Sequence, residues 1–581
     1  MPNRLNPIIQ FKERRREQHA DLRTKEYHVH KTIVHPSKGL NFSVPEWEID
    51  DSECSLCKNL IFENGIARTR GGLKRFLDTK HDFVTTDTSP VIMFKELVDY
   101  DGTKYLLAAN MYRVSQYTAG AWASISGAVT FTTTYDDFYS IESIYDDDAA
   151  YMKYFITNGV NVPYKWTGTG NIAAATVPTG LTTSKIVKNF QHHLLYLANT
   201  ISGEYYPQRI DWSAQGTPED FTSSGSGNNN LAKSTDEIVA AEVLKNILVV
   251  FKERSIAIVS YVGGVNPFIF EELKVEGVGC AATRTVQNLG NNLIFLGMDN
   301  IYLFDGFTVF PVANKIKSEM FRMILPQYVG RSFGIVMENL NSYILCTPSR
   351  RYYAGSYHGW EVWVWNYIED SWSSWHLKSD DYSAISFAKY YKQSTLTIGE
   401  LKGTIGIQNW RYREHLTEAY SPTLIVGTYG GNIYEYSESN TLDDETKIEA
   451  YYQTKDFFLT EVGNYARVCS IVLYAIGRTL DLYYSIDGGK NWTFAERFEL
   501  DNAIFNPIFS KKIDVTSERI MFKFFNDRTS EPFTLRGFDI VFINKDELVI
   551  PKHVDIVKAG LKYNIGDVNG DLIYVEERRV K

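Results

Sequence analysis

From about residue 46 to 440 the chain repeats one pattern: an apolar run rich in aromatic and β-branched residues, a polar turn, and a second run ending on an aromatic. Residues 105–109 (YLLAA) lead to Tyr112-Arg113-Val114, and residues 154–157 (YFIT) turn at Asn158-Gly159 toward Tyr164-Lys165-Trp166. Asn-Gly tolerates positive φ, so between two such runs it signals a hairpin. Later copies occupy residues 247–259, 293–306 and 424–436. Residues 363–372 (WVWNYIEDSW) alternate aromatics around a polar turn, as expected of strands with one buried face. The copies recur roughly every 40 to 55 residues, the length of a propeller blade. The fold class predicted is mainly β: a β-propeller of six or seven blades over 46–440. A stack of unrelated hairpins in a sandwich is the alternative.

Beyond about residue 440 the rhythm lengthens. Residues 448–454, 470–474, 480–485, 519–524 and 537–542 alternate apolar and polar positions over longer strands, which predicts a β-sandwich across 446–544. Residues 1–45 are polar and charged, with Arg14, Arg15 and Arg16 set among Glu13, Glu17 and Asp21; they read as an arm, either a solvated face or a dock for a neighbouring subunit. Residues 223–230 (SSGSGNNN) read as a flexible loop, and 545–581 as a tail with one hairpin.

Composition supports the β class and narrows the function. The 581 residues contain 38 Tyr, 33 Phe and 11 Trp against 17 Pro, side chains that suit a pleated surface. A formal charge of −10 argues against phosphate-neutralising DNA binding, but suits a conduit through which DNA slides without sticking. Five cysteines are too few and scattered for a disulfide framework, so assembly in a reducing compartment is expected. No run approaches the ~18 apolar residues of a membrane span, and the first 31 residues lack the apolar core of a signal peptide.

Candidate chemistry is sparse. Ser485-Ile486-Asp487-Gly488-Gly489-Lys490-Asn491-Trp492 matches the Asp-box, a hairpin turn of sialidase-like propellers in which the carboxylate binds turn amides and the Trp packs beneath. Cys54 and Cys57 have the spacing of half a zinc site, with His28, His30 and His35 upstream, but no second pair exists; two small buried side chains are the other reading. Asp567 to Asp571 mimics a calcium loop, yet Leu572 and Arg578 occupy positions that require Gly and Glu, and an Asn-Gly turn explains it better. The acidic residues Asp136, Asp137, Asp146, Asp147 and Asp148 could supply a glycosidase pair by chance, but more naturally face solvent or a DNA passage. No P-loop, HExxH, GxSxG or dinucleotide fingerprint is present, so no catalytic residue, cofactor or metal is expected.

Four segments carry a resemblance: Asn59 and Gly65 with the run Arg68-Thr69-Arg70-Gly71-Gly72; Arg209 to Phe221 (RIDWSAQGTPEDF); Gly279-Cys280 leading to Phe304-Asp305-Gly306; and the Tyr484 to Trp492 turn. In these the chain resembles the tail nozzle and tail stabilisation proteins of short-tailed phages. The resemblance implies a structural virion protein, not an enzyme, assembled in the host cytoplasm. It further implies a homo-oligomeric ring, a hexamer by analogy, that extends the DNA ejection channel beside adaptor and fibre proteins. Viral DNA would pass without specific binding, and the five aspartates would line the passage. The rival expectation is a carbohydrate-binding or glycosidase-like propeller for host-surface recognition, with a collar or fibre-attachment role between the two.

Overall fold

The computed structural model describes residues 29–77, 90–118, 120–134, 136–354, 357–377, 384–391, 422–461, 463–500, 508–528, 531–544, 563–566 and 572–575. These residues are mainly strand, arranged as many small antiparallel sheets. Seven follow one another along the chain, and their first strands begin at Met93, Ser140, Leu181, Ile238, Gln287, Phe333 and Ala384. These steps match the repeat of the apolar runs. Sheets one to five take four consecutive strands each; in sheet two these are Ser140–Asp146, Tyr151–Thr157, Tyr164–Trp166 and Ala173–Ala174.

Sheets six and seven borrow from the N-terminal part of the chain. Sheet six runs from Phe333–Met337 to Ser371–Trp375 and is extended by Gly39–Leu40 and Glu53–Cys54. Sheet seven has three consecutive strands, Ala384–Tyr390, Thr423–Thr428 and Ile433–Ser437, and takes Gly72–Arg75 as its fourth.

Apolar side chains between neighbouring sheets join them in sequence order. Leu107 and Val114 of sheet one share a cluster with Ile141 and Tyr154 of sheet two, and Ile144 and Phe155 of sheet two with Val187 and Tyr196 of sheet three. Leu195 and Ile210 join Ala241 and Val250 of sheet four. Phe251 of sheet four lies 4.8 Å from Phe295 of sheet five, centroid to centroid. Sheet five meets six through Ile294 and Tyr343, and six meets seven through Ile344 and Val426. The series then returns to its start, since Ala388 and Ile425 of sheet seven cluster with Phe94 and Ala108 of sheet one. The first strands lie side by side from sheet two through sheet seven and back to sheet one.

Two longer sheets pack face to face. One orders Ile508–Ser517, Ala466–Ile476, Thr534–Asn544, Ile66–Thr69 and Leu60–Glu63, with Val29–Val34 also on Thr534–Asn544. The other orders Leu56–Lys58, Ala450–Gln453, Met521–Asn526, Thr479–Ser485 and Thr493–Glu499. Phe524 and Phe538 meet between them at 4.9 Å. Residues 29–69 therefore differ from expectation: instead of a free arm followed by the first blade, they pair with strands hundreds of residues later. Alternation shows which face of a strand is buried but not which distant strand it joins.

Two further differences are local. Residues 223–230 are not simply a loop, because Gly227–Asn230 is the outer strand of sheet three. A Cβ on Gly227 would stand 2.8 Å from the Trp212 ring, so glycine lets that ring lie flat on the strand. At Asn158-Gly159 the strands stop at Thr157 and resume at Tyr164, leaving a longer loop in which Asn158 Oδ1 accepts the Val160 and Asn161 amides at 3.1 and 2.8 Å. The 563–566 and 572–575 strands form the expected tail hairpin. Residues 1–28 and 567–571 lie outside the described residues. No described helix is long and apolar enough to cross a membrane.

Candidate functional site

The Asn59 to Gly72 segment crosses from the face-to-face sheets to sheet seven, and Arg70 fastens the crossing. Its Nε donates to Asn59 Oδ1 at 2.9 Å; Nη1 donates to Gly71 O at 2.7 Å and Asp443 Oδ1 at 2.9 Å; Nη2 donates to His376 O at 2.9 Å and Asp443 Oδ2 at 2.5 Å. All five guanidinium protons are thereby used, which is what allows a cation to sit fully buried. Asn59 holds a left-handed φ of 56°, receives the His376 amide at 2.8 Å and donates to Glu449 O at 2.8 Å. Gly71 and Gly72 permit close approach: a Cβ would lie 2.3 Å from Ser437 O at one and 2.0 Å from Leu442 O at the other.

The Arg209 to Phe221 segment fastens sheet three to sheet two. Arg209 forms a two-toothed pair with Asp211 at 2.8 and 2.9 Å, and buried Asn199 donates to the same carboxylate at 2.8 Å. Trp212 Nε1 donates to Gly225 O at 3.0 Å. Glu219 reaches into sheet two, accepting from Lys153 at 2.6 Å, Lys165 at 2.8 Å and the Thr176 amide at 2.8 Å. Burial opposes its ionisation, but these donors outweigh it and bring the carboxyl down to about 2.

The five aspartates expected to line a passage fall into two separate places. Asp136 and Asp137 precede the first strand of sheet two, while Asp146, Asp147 and Asp148 lie at its far end. A seven-residue strand spans about 20 Å at ~3.3 Å per residue, so the two groups do not form one acidic surface. Asp136 pairs with Arg331 at 2.7 and 3.1 Å. Asp137 accepts from Thr134 N and Oγ1 at 2.7 and 2.9 Å. Buried Asp146 lies 2.5 Å from Lys153 and accepts the Asp148 and Ala149 amides. The Asp147 amide donates to Gly216 O at 2.9 Å, which seats this hairpin against the Arg209 to Phe221 segment. Asp147 and Asp148 leave their side chains exposed.

A charged girdle that sequence reasoning missed lies where the seven first strands converge. Lys188 of sheet three sits 2.7 Å from Glu242 of sheet four and 3.7 Å from Glu142 of sheet two. Burial opposes the Lys188 charge, yet the two carboxylates overcome it and raise its pKa above the ordinary lysine value. Lys95 of sheet one is close enough to help lower the Glu242 pKa. Lys389 of sheet seven pairs with Glu338 at 2.5 Å, and Asn288 of sheet five donates to Val243 O at 2.9 Å. The three lysines and three glutamates cancel. The sequence signal was a charge set among apolar neighbours, as at Val187-Lys188 and Ala241-Glu242-Val243.

One end of this convergence is crossed by two arginines. Asp136 leads into sheet two and Arg331 into sheet six; with the sheets packed in order, their bond bridges the centre rather than joining neighbours. Arg284, leading into sheet five, donates to Ile92 O at 3.0 Å, Ile385 O at 3.1 Å and Arg331 O at 2.8 Å, tying sheets one, seven and six. Its charge lies 5.2 Å from the Phe333 ring, and burial lowers its pKa to about 10. The centre is thus laced across at this end.

The other motifs resolve into local structure. Asp487 accepts the Asn491 amide at 3.0 Å, Asn491 Nδ2 at 2.7 Å and Ser485 Oγ at 2.7 Å, which holds its pKa below the usual range and commits it to the turn. Cys54 and Cys57 are buried, and burial pushes the Cys54 thiol well up, the reverse of what a thiolate ligand needs. His35 turns to Arg536 O at 3.3 Å. Among the described residues no group of three or more His, Cys, Asp or Glu could hold a metal ion.

No family model and no curated protein matches the chain. Among solved structures, the computationally designed Ika8 protein aligns at 8% identity and TM-score 0.33, covering 69% of this chain and 99% of that one. A humanized mutant of the Chaetomium thermophilum Polycomb Repressive Complex 2 bound to the inhibitor GSK126 aligns at 8% identity and TM-score 0.34, covering 64% of this chain and 98% of that one. Superpositions this loose leave the chain's own geometry to speak for its function.

Proposed function

We propose that this chain is a structural protein of a phage virion tail, a nozzle or tube-extending ring component and not an enzyme. In this reading the seven sheets are propeller blades, Gly72–Arg75 is the strand that closes the ring of blades, and the face-to-face sheets are a β-sandwich built from both ends of the chain. The observation that carries it is the Asn59 to Arg75 segment. The residues through which the chain resembles tail nozzle proteins, Asn59 and Arg70 to Gly72, bind the sandwich strands to sheets six and seven and complete the last sheet. Such a segment ties the chain into a rigid two-part body, as a ring subunit under DNA pressure requires. A homo-hexamer, with adaptor and fibre proteins as neighbours, is the assembly by analogy. Its lumen would lie between subunits, with Asp147 and Asp148 available to face it.

The test is electron microscopy of the purified protein together with virions labelled by an antibody to it. A six-fold ring with an axial hole, and label at the tail tip, are the expected results. Monomers at high concentration together with unlabelled tails would refute the reading.

A further inference from the structure

The sandwich sheet containing Met521–Asn526 has an outward face the core does not need. Along that strand Phe522 and Phe524 point inward and are buried, while Lys523 and Phe525 point out. Strand register places Tyr451 opposite Phe525, Tyr483 opposite Lys523, and Phe494 opposite Tyr483. The rings form a band: Tyr451 and Phe525 are near-parallel at 6.5 Å, and Tyr483 stands edge-on to Phe525 at 6.0 Å and to Phe494 at 5.5 Å. Phe494 is half exposed. The solvent side of a sheet ordinarily carries polar residues, so such a band is a surface that meets something.

Lys523 says what. Its ammonium lies 4.5 Å from the Tyr451 ring, 5.3 Å from Phe525 and 5.8 Å from Trp492. The other cations of this face have carboxylates: Lys58 pairs with Glu449 at 3.3 Å and Arg497 with Asp481 at 2.6 Å. Among the described residues Lys523 has neither an ion pair nor a hydrogen bond, and burial lowers its pKa. Glu449 acts on it only from beyond ion-pair distance and is itself paired with Lys58, and a half-desolvated cation so placed gains from an arriving anion.

We propose that this face binds an acidic saccharide, its pyranose C–H face lying on the aromatic band and its carboxylate accepting from Lys523. Sugar C–H groups carry partial positive charge and meet the negative ring faces. A single-stranded nucleic acid would use rings too, but a polyphosphate needs a run of cations. Here Lys58 and Arg497 are already held by Glu449 and Asp481, which leaves Lys523 to meet a single carboxylate. The proposal does not depend on the place of the protein in a tail: binding is read on purified protein, whatever its assembly state.

Calorimetric titration of the full-length protein with tetragalacturonate, maltotetraose and an oligothymidylate tests it. The uronate should bind measurably below about 10 mM and the neutral sugar more weakly. Lys523→Met should weaken the uronate about tenfold and erase its advantage over maltotetraose, and Phe494→Ser should weaken both sugars. Unchanged melting temperatures for both variants would show that they fold. No uronate binding, equal uronate affinity in Lys523→Met, or tighter binding of the oligothymidylate would each overturn the proposal.

Discussion

Arg70 and Asp443, 373 residues apart in sequence, meet as a two-toothed ion pair with both side chains at most 1% exposed. The pair sits where the face-to-face sheets, the end of sheet six and the Gly72–Arg75 strand of sheet seven come together. Removing one partner strands a buried charge, so Arg70→Met should cost about 3–5 kcal/mol, whereas replacing both with apolar residues should cost less. Urea unfolding of the two single variants and the double variant measures this. Additive single effects would show that the pair does not act as a unit.

Glu219 supplies a pH test. Its folded pKa of about 2 lies below the unfolded carboxylate value, so its stabilisation is fully present above ~4.3 and is lost as pH falls through about 2. Solvent reaches the site, which discounts the contribution to about 1–2 kcal/mol. Wild type should lose that much more stability between pH 5 and 2 than Glu219→Gln. Parallel pH profiles of denaturation midpoint would contradict the assigned lysine bonds.

The repeating hairpins were legible because each is a short apolar run next to a polar turn, as Val362 to Trp365, all buried, and the returning Trp372 are in sheet six. The fourth strand of sheet seven was not, since Gly72-Leu73-Lys74-Arg75 is too short to show a pattern and its partner, Tyr434 to Ser437, lies far along the chain. The aspartates were visible as acidic positions, but a sequence does not show that Lys153 or Arg331 folds back to neutralise one. Lys188 escaped notice for the converse reason: a single charge in an apolar strand looks like ordinary surface until both neighbouring strands place a glutamate beside it.

Sheets shared between the two ends of the chain predict the outcome of cutting it. Glu438 and Ser439 are exposed between sheet seven and the Asp443 anchor, so a protease site inserted after Ser439 should be cleaved readily. The two pieces should stay together, because strands Val29–Val34, Leu56–Lys58 and Ile66–Thr69 pair with strands beyond residue 449. Co-elution on gel filtration at neutral pH is the expected result. Release of a folded C-terminal fragment would mean that the N-terminal strands are dispensable to it.

The conduit mechanism can be tested through the two aspartates that keep exposed side chains. If Asp147 and Asp148 face the lumen between subunits, duplex DNA should pass the native ring without binding, since like charge repels the phosphates. Asp147→Lys with Asp148→Lys puts cations at the same exposed positions and leaves buried Asp146 with Lys153. The variant ring should bind duplex DNA in a salt-dependent way, log affinity falling with log salt by about 0.9 for each phosphate neutralised. Phage assembled with it should eject DNA more slowly, most at low ionic strength. A variant that binds duplex as free subunits yet leaves ejection unchanged would place these residues on the outer surface, and tight salt-sensitive binding by the native ring would refute the conduit itself.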